Sequence, residues 1–215
     1  MKVKWLGHAS FLITTADGTR IITDPYTAGQ GLKYGEINES ADIVTVSHEH
    51  FDHNNVASVG GNPQVIRDPA PKEVKGIRFW GIPTYHDDNQ GKSRGDNTIF
   101  VMDVDGVRLC HLGDLGHPLS DQQVADIGKV DVLLAPVGGF FTIDGKGASD
   151  VCRKLNPRVV IPMHFKNDRC DFPIGGVDDF LKDKEAVIQA EATEAEFKPG
   201  EFPENTEIVV LDPAM

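Results

Sequence analysis

The chain has 215 residues, 40% of them hydrophobic and 25% charged, with 33 acidic against 21 basic side chains and a formal net charge of −12. That length supports a substantial core, and the acidic balance disfavours long nucleic acids, whose binding rests on clustered Lys and Arg. Cys110, Cys152 and Cys170 are far apart and show no CxxC spacing, which argues for reduced thiols and against a disulfide framework or a thiolate metal site.

The N-terminal run "MKVKWLGHASFLITTADG" has no sustained apolar core or small-residue cleavage pattern, so it does not read as a secretory leader. With no stretch approaching the ~18 apolar residues of a membrane span, the expectation is a cytoplasmic protein with no membrane partner. "KVKWLG", "SFLITTA" and "RIITDPY" read as strands, with "ADGT" as a hairpin turn. A glycine-rich loop, "TAGQGLKYGEINES", leads to a strand over 42–46. "NNVASVG" is expected to form a short helix and "QVIRD" a strand. Three further strands are expected within "VKGIRFWGIPTYH" and "NTIFVMDVDGVRLCHLGD".

The second half alternates. "SDQQVADIG" has a Ser cap and helical spacing, "VDVLLAPVG" is a buried-type strand, and "GASDVCRKLN" is a helix ending before Pro157. "RVVIPM" and "TEIVVLD" are strands, and "VDDFLKDKEAVIQAEATEAEF" is expected to give one helix and one strand. No linker or fixed-period repeat interrupts the pattern. Two packed sheets with helices outside, in one domain over residues 1–215, fit this order.

Chemistry concentrates in "TVSHEHFDHN", where His48, His50, Asp52 and His53 follow a short β-branched strand. A helix would spread positions 48 and 50 around its surface, whereas a tight loop past a strand end converges them. Imidazole with carboxylate is the ligand chemistry of zinc-like ions. Three later strand ends supply more donors: His86, Asp114 (with His111 inside its strand) and His164. Alternation turns His111 to the face opposite Leu112 and Asp114, so His86 is the expected ligand and His111 is not. Seven donors exceed one ion and match two ions sharing a carboxylate, an arrangement that activates water near neutral pH.

"HEHFDH" matches the HxHxDH motif of the metallo-β-lactamase superfamily, and His86, Asp114 in "HLGD" and His164 in "PMHF" follow in the family's order. "WLGHASFLI", "TDPY" and "PVGGFFTID" resemble the small UPF0173 or ascorbate-lactonase-like metal-dependent hydrolases. The resemblance implies a four-layer αββα sandwich with the metals at one edge. It also implies that His48, His50 and His86 hold one ion, Asp52, His53 and His164 the other, and that Asp114 bridges. Asp24 would order the ligand loop, and His8, near the mouth, would contact substrate or support the ligands. Leu115-Gly116-His117 depart from the Thr common in relatives.

The expected function is metal-dependent hydrolysis of a small ester, lactone or phosphodiester metabolite by a metal-bound hydroxide, with Asp52 catalytic. Zinc is the favoured ion, then manganese or iron. The alternatives are a nucleic-acid processing metallo-hydrolase and a non-catalytic metal-binding protein or sensor. A small-molecule substrate is the expected partner, and no residue pattern reports the oligomeric state.

Overall fold

The computed structural model describes residues 1–215. Its first sheet grows from the N-terminal hairpins: β1 (Lys2–Gly7), β2 (Ser10–Thr14) and β3 (Arg20–Thr23) pair antiparallel. Two short parallel strands, β4 (Ile43–Thr45) and β5 (Gln64–Ile66), extend it. Side chains alternate across a strand, so Phe11, Ile13, Ile21 and Ile43 enter the main core while Leu12, Ile22 and Val44 face the other way. Tyr26 and, from the glycine-rich segment after it, Leu32, Tyr34 and Ile37 cover that second face, joined by Cys170 and Ile174. The outer layer here is packed loop. The helix expected at "NNVASVG" is a single 3-10 turn, Val56–Ser58, because Asn55 provides no side-chain cap and no buried residue anchors it.

The second sheet begins with antiparallel β6 (Lys72–Val74), β7 (Ile77–Tyr85), β8 (Asp96–Val104) and β9 (Val107–His111). Helix α1 (Asp121–Ile127) then leads to the parallel strand β10 (Val132–Pro136), and α2 (Gly145–Leu155) to β11 (Val159–Met163). Ser120 caps α1 in a capping box with Gln123. Asp144 caps α2, whose Ala148, Val151 and Leu155 form the buried stripe, and Asn156 ends it in the left-handed conformation before Pro157. Both β10 and β11 are buried throughout, which is why they read as continuous apolar runs.

The acidic segment differs from expectation. It forms a four-residue helix, α3 (Asp178–Leu181), and two strands, β12 (Val187–Gln189) and β13 (Glu194–Glu196). β13 joins the edge of the first sheet beside β1, while β12 pairs with β14 (Glu207–Val210) at the edge of the second. The resulting orders are β13-β1-β2-β3-β4-β5 and β12-β14-β11-β10-β9-β8-β7-β6. A cluster of 46 buried residues draws on both sheets and on helices α1, α2 and α3. The two packed sheets make the αββα sandwich, with helices outside the second sheet and packed loop in the outer layer of the first. No helix is long and apolar enough to cross a membrane.

Strand ends position the chemistry. His8, Asp24, His86 and His164 immediately follow β1, β3, β7 and β11, while His48 and Asp114 lie just beyond β4 and β9. Six strands from two sheets deliver polar side chains to one edge.

Candidate metal centre

Three of these delivered residues leave their strands in the left-handed region: His8 (φ 53°), Asp24 (φ 38°) and His164 (φ 52°). Asp and His tolerate that region better than most residues, but it still costs on the order of 1–3 kcal/mol at each position. Gly113 (φ 55°) has a second reason to be glycine. A Cβ there would collide with Asn97 Oδ1 and come within 2.7 Å of Ser47 Cβ. The close approach lets the "HLGD" turn lie against the root of the histidine loop.

Asp114 is the hub. Its Oδ2 lies 3.1 Å from His86 Nε2, 3.2 Å from His53 Nε2, 3.3 Å from His164 Nε2 and 4.0 Å from His48 Nε2. On one side His48, His50 and His86 offer ligand atoms mutually within 4.8 Å; on the other, His8, Asp52, His53 and His164 do the same. His50 is exposed, and the rest are buried. Asp52 Oδ2 lies 3.1 Å from His8 Nε2 and 3.7 Å from His53 Nε2.

Hydrogen bonds behind the rings dictate which nitrogen faces the centre. Asp24, fully buried, accepts the Ser47 backbone N–H (2.7 Å), the Ser47 hydroxyl and His53 Nδ1–H (2.9 Å). Because the Ser47 proton goes to Asp24, the Ser47 oxygen is left to accept from His48 Nδ1, 2.9 Å away. One carboxylate thus sets two imidazoles, one directly and one through a hydroxyl. His86 Nδ1 donates to the Phe141 carbonyl at 3.0 Å. In each case Nε2 is the nitrogen turned inward, where it can ligate an ion once it carries no proton.

A metal fits this arrangement. Buried polar atoms are normally satisfied, yet Nε2 of His48, His53 and His164 and Oδ1 of Asp114 are buried without a hydrogen bond. Four such atoms pointing into one small space would each cost about 1–3 kcal/mol if nothing bound them. The electrostatics are equally suited to a cation. Burial raises the Asp114 carboxyl, but His164 and His53 outweigh it and hold Asp114 well below the usual range. Asp52 is likewise lowered despite burial, chiefly by His53 and His8. Burial, reinforced by neighbouring imidazoles, brings His8 down to about 4 and His48 to about 3, so both are neutral near pH 7. His53 and His86 are raised, because Asp114 more than offsets their burial.

Above the centre lies a cavity of about 440 Å³ lined by His50, Asp52, His86, Asp114 and His164 together with aromatic side chains and Arg94. Residues 2–164 match the beta-lactamase superfamily domain. The chain belongs to the metallo-β-lactamase superfamily. A UPF0173 metal-dependent hydrolase of Thermococcus onnurineus is 31% identical over 192 residues, covering 77% of this chain and 84% of its own length. One of Archaeoglobus fulgidus is 29% identical over 235 residues, with coverages of 94% and 97%. A superfamily member from Thermotoga maritima, solved by crystallography, is 39% identical with a TM-score of 0.81, covering 98% of this chain and 97% of its own. Within the superfamily it belongs with the UPF0173 metal-dependent hydrolase family.

Against the superfamily expectations, most candidate residues converge and a few lie elsewhere. His48, His50, Asp52, His53, His86, Asp114 and His164 all meet at the centre, with Asp24 behind them. His8 is not at the mouth. Its left-handed backbone after β1 turns the ring inward, fully buried, 4.1 Å centroid to centroid from His164. His111 engages both ring nitrogens elsewhere: Nε2 donates to the Ala9 carbonyl at 2.9 Å and Nδ1 accepts from Gly113 N–H at 3.2 Å. His117 sits outside the centre, accepting from Tyr85 N–H and donating to the Pro118 carbonyl. Asp88 is exposed, whereas the adjacent Asp87 is buried. Arg94, Phe141 and Phe172 at the cavity carry no ligand signature, and only the fold brings them there.

Proposed function

We propose that this centre takes two divalent ions and hydrolyses an ester, lactone or phosphodiester bond in a small molecule. The supporting observation is the position of Asp114 Oδ2, within 3.3 Å of imidazoles from both trios. His48, His50 and His86 would hold one ion and Asp52, His53 and His164 the other, with the Asp114 carboxylate between them. When bound, such a pair supplies Lewis acidity, lowering the pKa of coordinated water from 15.7 towards ~7 and polarising the electrophilic oxygen.

The chain's own groups account for the remaining steps. Asp52, kept ionised, faces the cavity and is positioned to orient the attacking water and take its proton. His8 Nε2 on Asp52 Oδ2 fixes that carboxylate and can share the proton. Water is the nucleophile in this reading, since the chain has no Gly-x-Ser-x-Gly elbow. All protein donors are imidazole or carboxylate, a set that suits zinc, manganese or iron. Zinc is favoured, and the Thermotoga maritima relative is itself described in terms of zinc dependence. A cavity of about 440 Å³ and a net charge of −12 favour a small substrate over a long polyanion.

The test is a panel of a p-nitrophenyl phosphodiester, a simple lactone, an aryl ester and a structured RNA, each with chelated and with zinc- or manganese-loaded protein. Turnover of a small substrate that disappears on chelation and returns with metal is expected. Faster cleavage of RNA than of every small substrate would replace this reading with nucleic-acid processing, and no turnover at full metal loading would replace it with a binding protein.

A further inference from the structure

Arg94 stands apart from every other arginine in the chain. The other seven each donate to a carboxylate or a main-chain carbonyl. The Arg94 guanidinium does neither, although Asp87, Asp88 and Asp96 are close in sequence. It lies over the Phe141 ring, 5.5 Å from the centroid, in the wall of the cavity above the histidines. In a chain with 33 acidic residues, a cation left without an anion at the mouth of a reaction site requires an explanation.

Its position is built. Asp87, one residue after His86, accepts four backbone N–H groups: Asn89 (2.8 Å) and Gly91 (2.9 Å) on Oδ1, Ser93 (2.9 Å) and Arg94 (2.7 Å) on Oδ2. The loop closes back on the ligand through His86 N–H to the Gly95 carbonyl at 3.0 Å. Burial would raise the Asp87 carboxyl, but the four amides hold it at about 2. That carboxylate is fully engaged with backbone, so it organises the loop without neutralising Arg94.

An apolar wall adjoins the cation. Phe141 contacts Phe172 at 5.9 Å, and Phe172 contacts Phe51 at 6.5 Å and His8 at 5.6 Å, centroid to centroid. Only four large hydrophobic side chains are exposed, and three of them, Phe51, Tyr85 and Phe140, lie beside residues of this site. Phe140 is 63% exposed and held at φ 62°, a conformation a bulky residue rarely adopts.

We propose that the substrate is an amphipathic anion: an apolar acyl or aryl body that packs on Phe51, Phe141 and Phe172 and carries a carboxylate or phosphate that pairs with Arg94. This rests on the hydrolase reading for the reaction, while the binding claim stands apart from it. Arginine is suited to the role because its planar fork matches an oxyanion bidentately while its face stacks on an aromatic ring.

Two measurements test it separately. In chelator-treated protein, phenylacetate, phenyl phosphate and the neutral phenylacetamide are titrated by calorimetry against wild type and Arg94→Gln, a change at a half-exposed side chain whose guanidinium makes no hydrogen bond or ion pair. Wild type should prefer one of the anions over the amide by about tenfold or more, Arg94→Gln should lose that preference, and Arg94→Lys should keep part of it. The two anion arms decide between carboxylate and phosphate. In metal-loaded protein, p-nitrophenyl hydrogen glutarate is compared with the neutral p-nitrophenyl pentanoate. Arg94→Gln should raise KM for the anionic ester about tenfold or more and shift that for the neutral ester far less. An anion preference undiminished in Arg94→Gln, or equal binding of amide and anions by wild type, overturns the assignment. Failure of both esters to turn over would count against the hydrolase reading, and the titration would still decide Arg94.

Discussion

Asp24 never faces the cavity, yet replacing it with Asn should disable the centre. The amide is isosteric and can still accept the Ser47 backbone N–H through its oxygen. Its NH2 group, however, meets His53 Nδ1 and the Ser47 hydroxyl, both of which donate in the native arrangement. His53 can satisfy the new donor only by moving its proton to Nε2, the nitrogen that faces Asp114 and Asp52. Ser47 in turn loses its reason to present an acceptor to His48. Asp24→Asn therefore exchanges two charge-assisted bonds for a choice between a wrong tautomer and unpaired buried donors, at about 3 kcal/mol. Residues that hold a ligand in place typically change metal affinity 10- to 100-fold, or about 1.4–2.7 kcal/mol. Competition with a chromogenic chelator should show weakening in that range, and imidazole nitrogen NMR should find that His53 Nδ1, protonated in the wild type, no longer carries a proton. Wild-type affinity with an unchanged His53 spectrum would refute the relay from Asp24 to the ligands.

Metal loading should release protons near neutral pH. Asp114 raises His53 and His86 in the metal-free protein, so both favour the protonated form and must give that proton up to bind an ion. Affinity should therefore rise with pH until both have titrated, and calorimetry in buffers of different ionisation enthalpy should count the released protons; a pH-independent affinity would contradict this. In the absence of metal the same shift stabilises the fold below the unfolded histidine pKa of ~6.5 and is lost as pH rises through the folded values. His111→Ala should keep the full metal complement while lowering the melting temperature, since it takes the partner of the Gly113 N–H and the shorter of the two hydrogen bonds to the Ala9 carbonyl; loss of an ion would reassign His111 as a ligand. Gly113→Ala should lower the melting temperature by at least about 4 °C, from roughly 2 kcal/mol of left-handed strain and collision with Asn97 and Ser47, and a neutral effect would show that the turn is not held where described.

What the sequence revealed, and what it did not, follows physical lines. The strands were legible because they are rich in apolar β formers that either alternate with exposed positions, as in β7, or run uninterrupted, as in β2, β10 and β11. The ligand set was legible because "HEHFDH" packs four donors into six positions and the other donors end strands. The edge strands β12 and β13 were obscured because "KDKEAVIQAEATEAEF" is rich in helix formers, and pairing with β14 and β1 overrides that preference. The Asp87 loop was invisible for another reason. A carboxylate that collects four amides within seven residues leaves no composition or period, only the polar run "DDNQGKSRG" that any surface turn resembles. The inward turn of His8 depended on one backbone angle after β1.

The claim on which the account turns is that Asp114 separates two ions, and anomalous diffraction from crystals grown with zinc or manganese tests it most directly. The account predicts two peaks, one among His48, His50 and His86 and one among Asp52, His53 and His164, with the Asp114 carboxylate reaching both; in Asp114→Asn both peaks should weaken together. A single peak at saturating metal, or two peaks of which Asp114 touches only one, would contradict it.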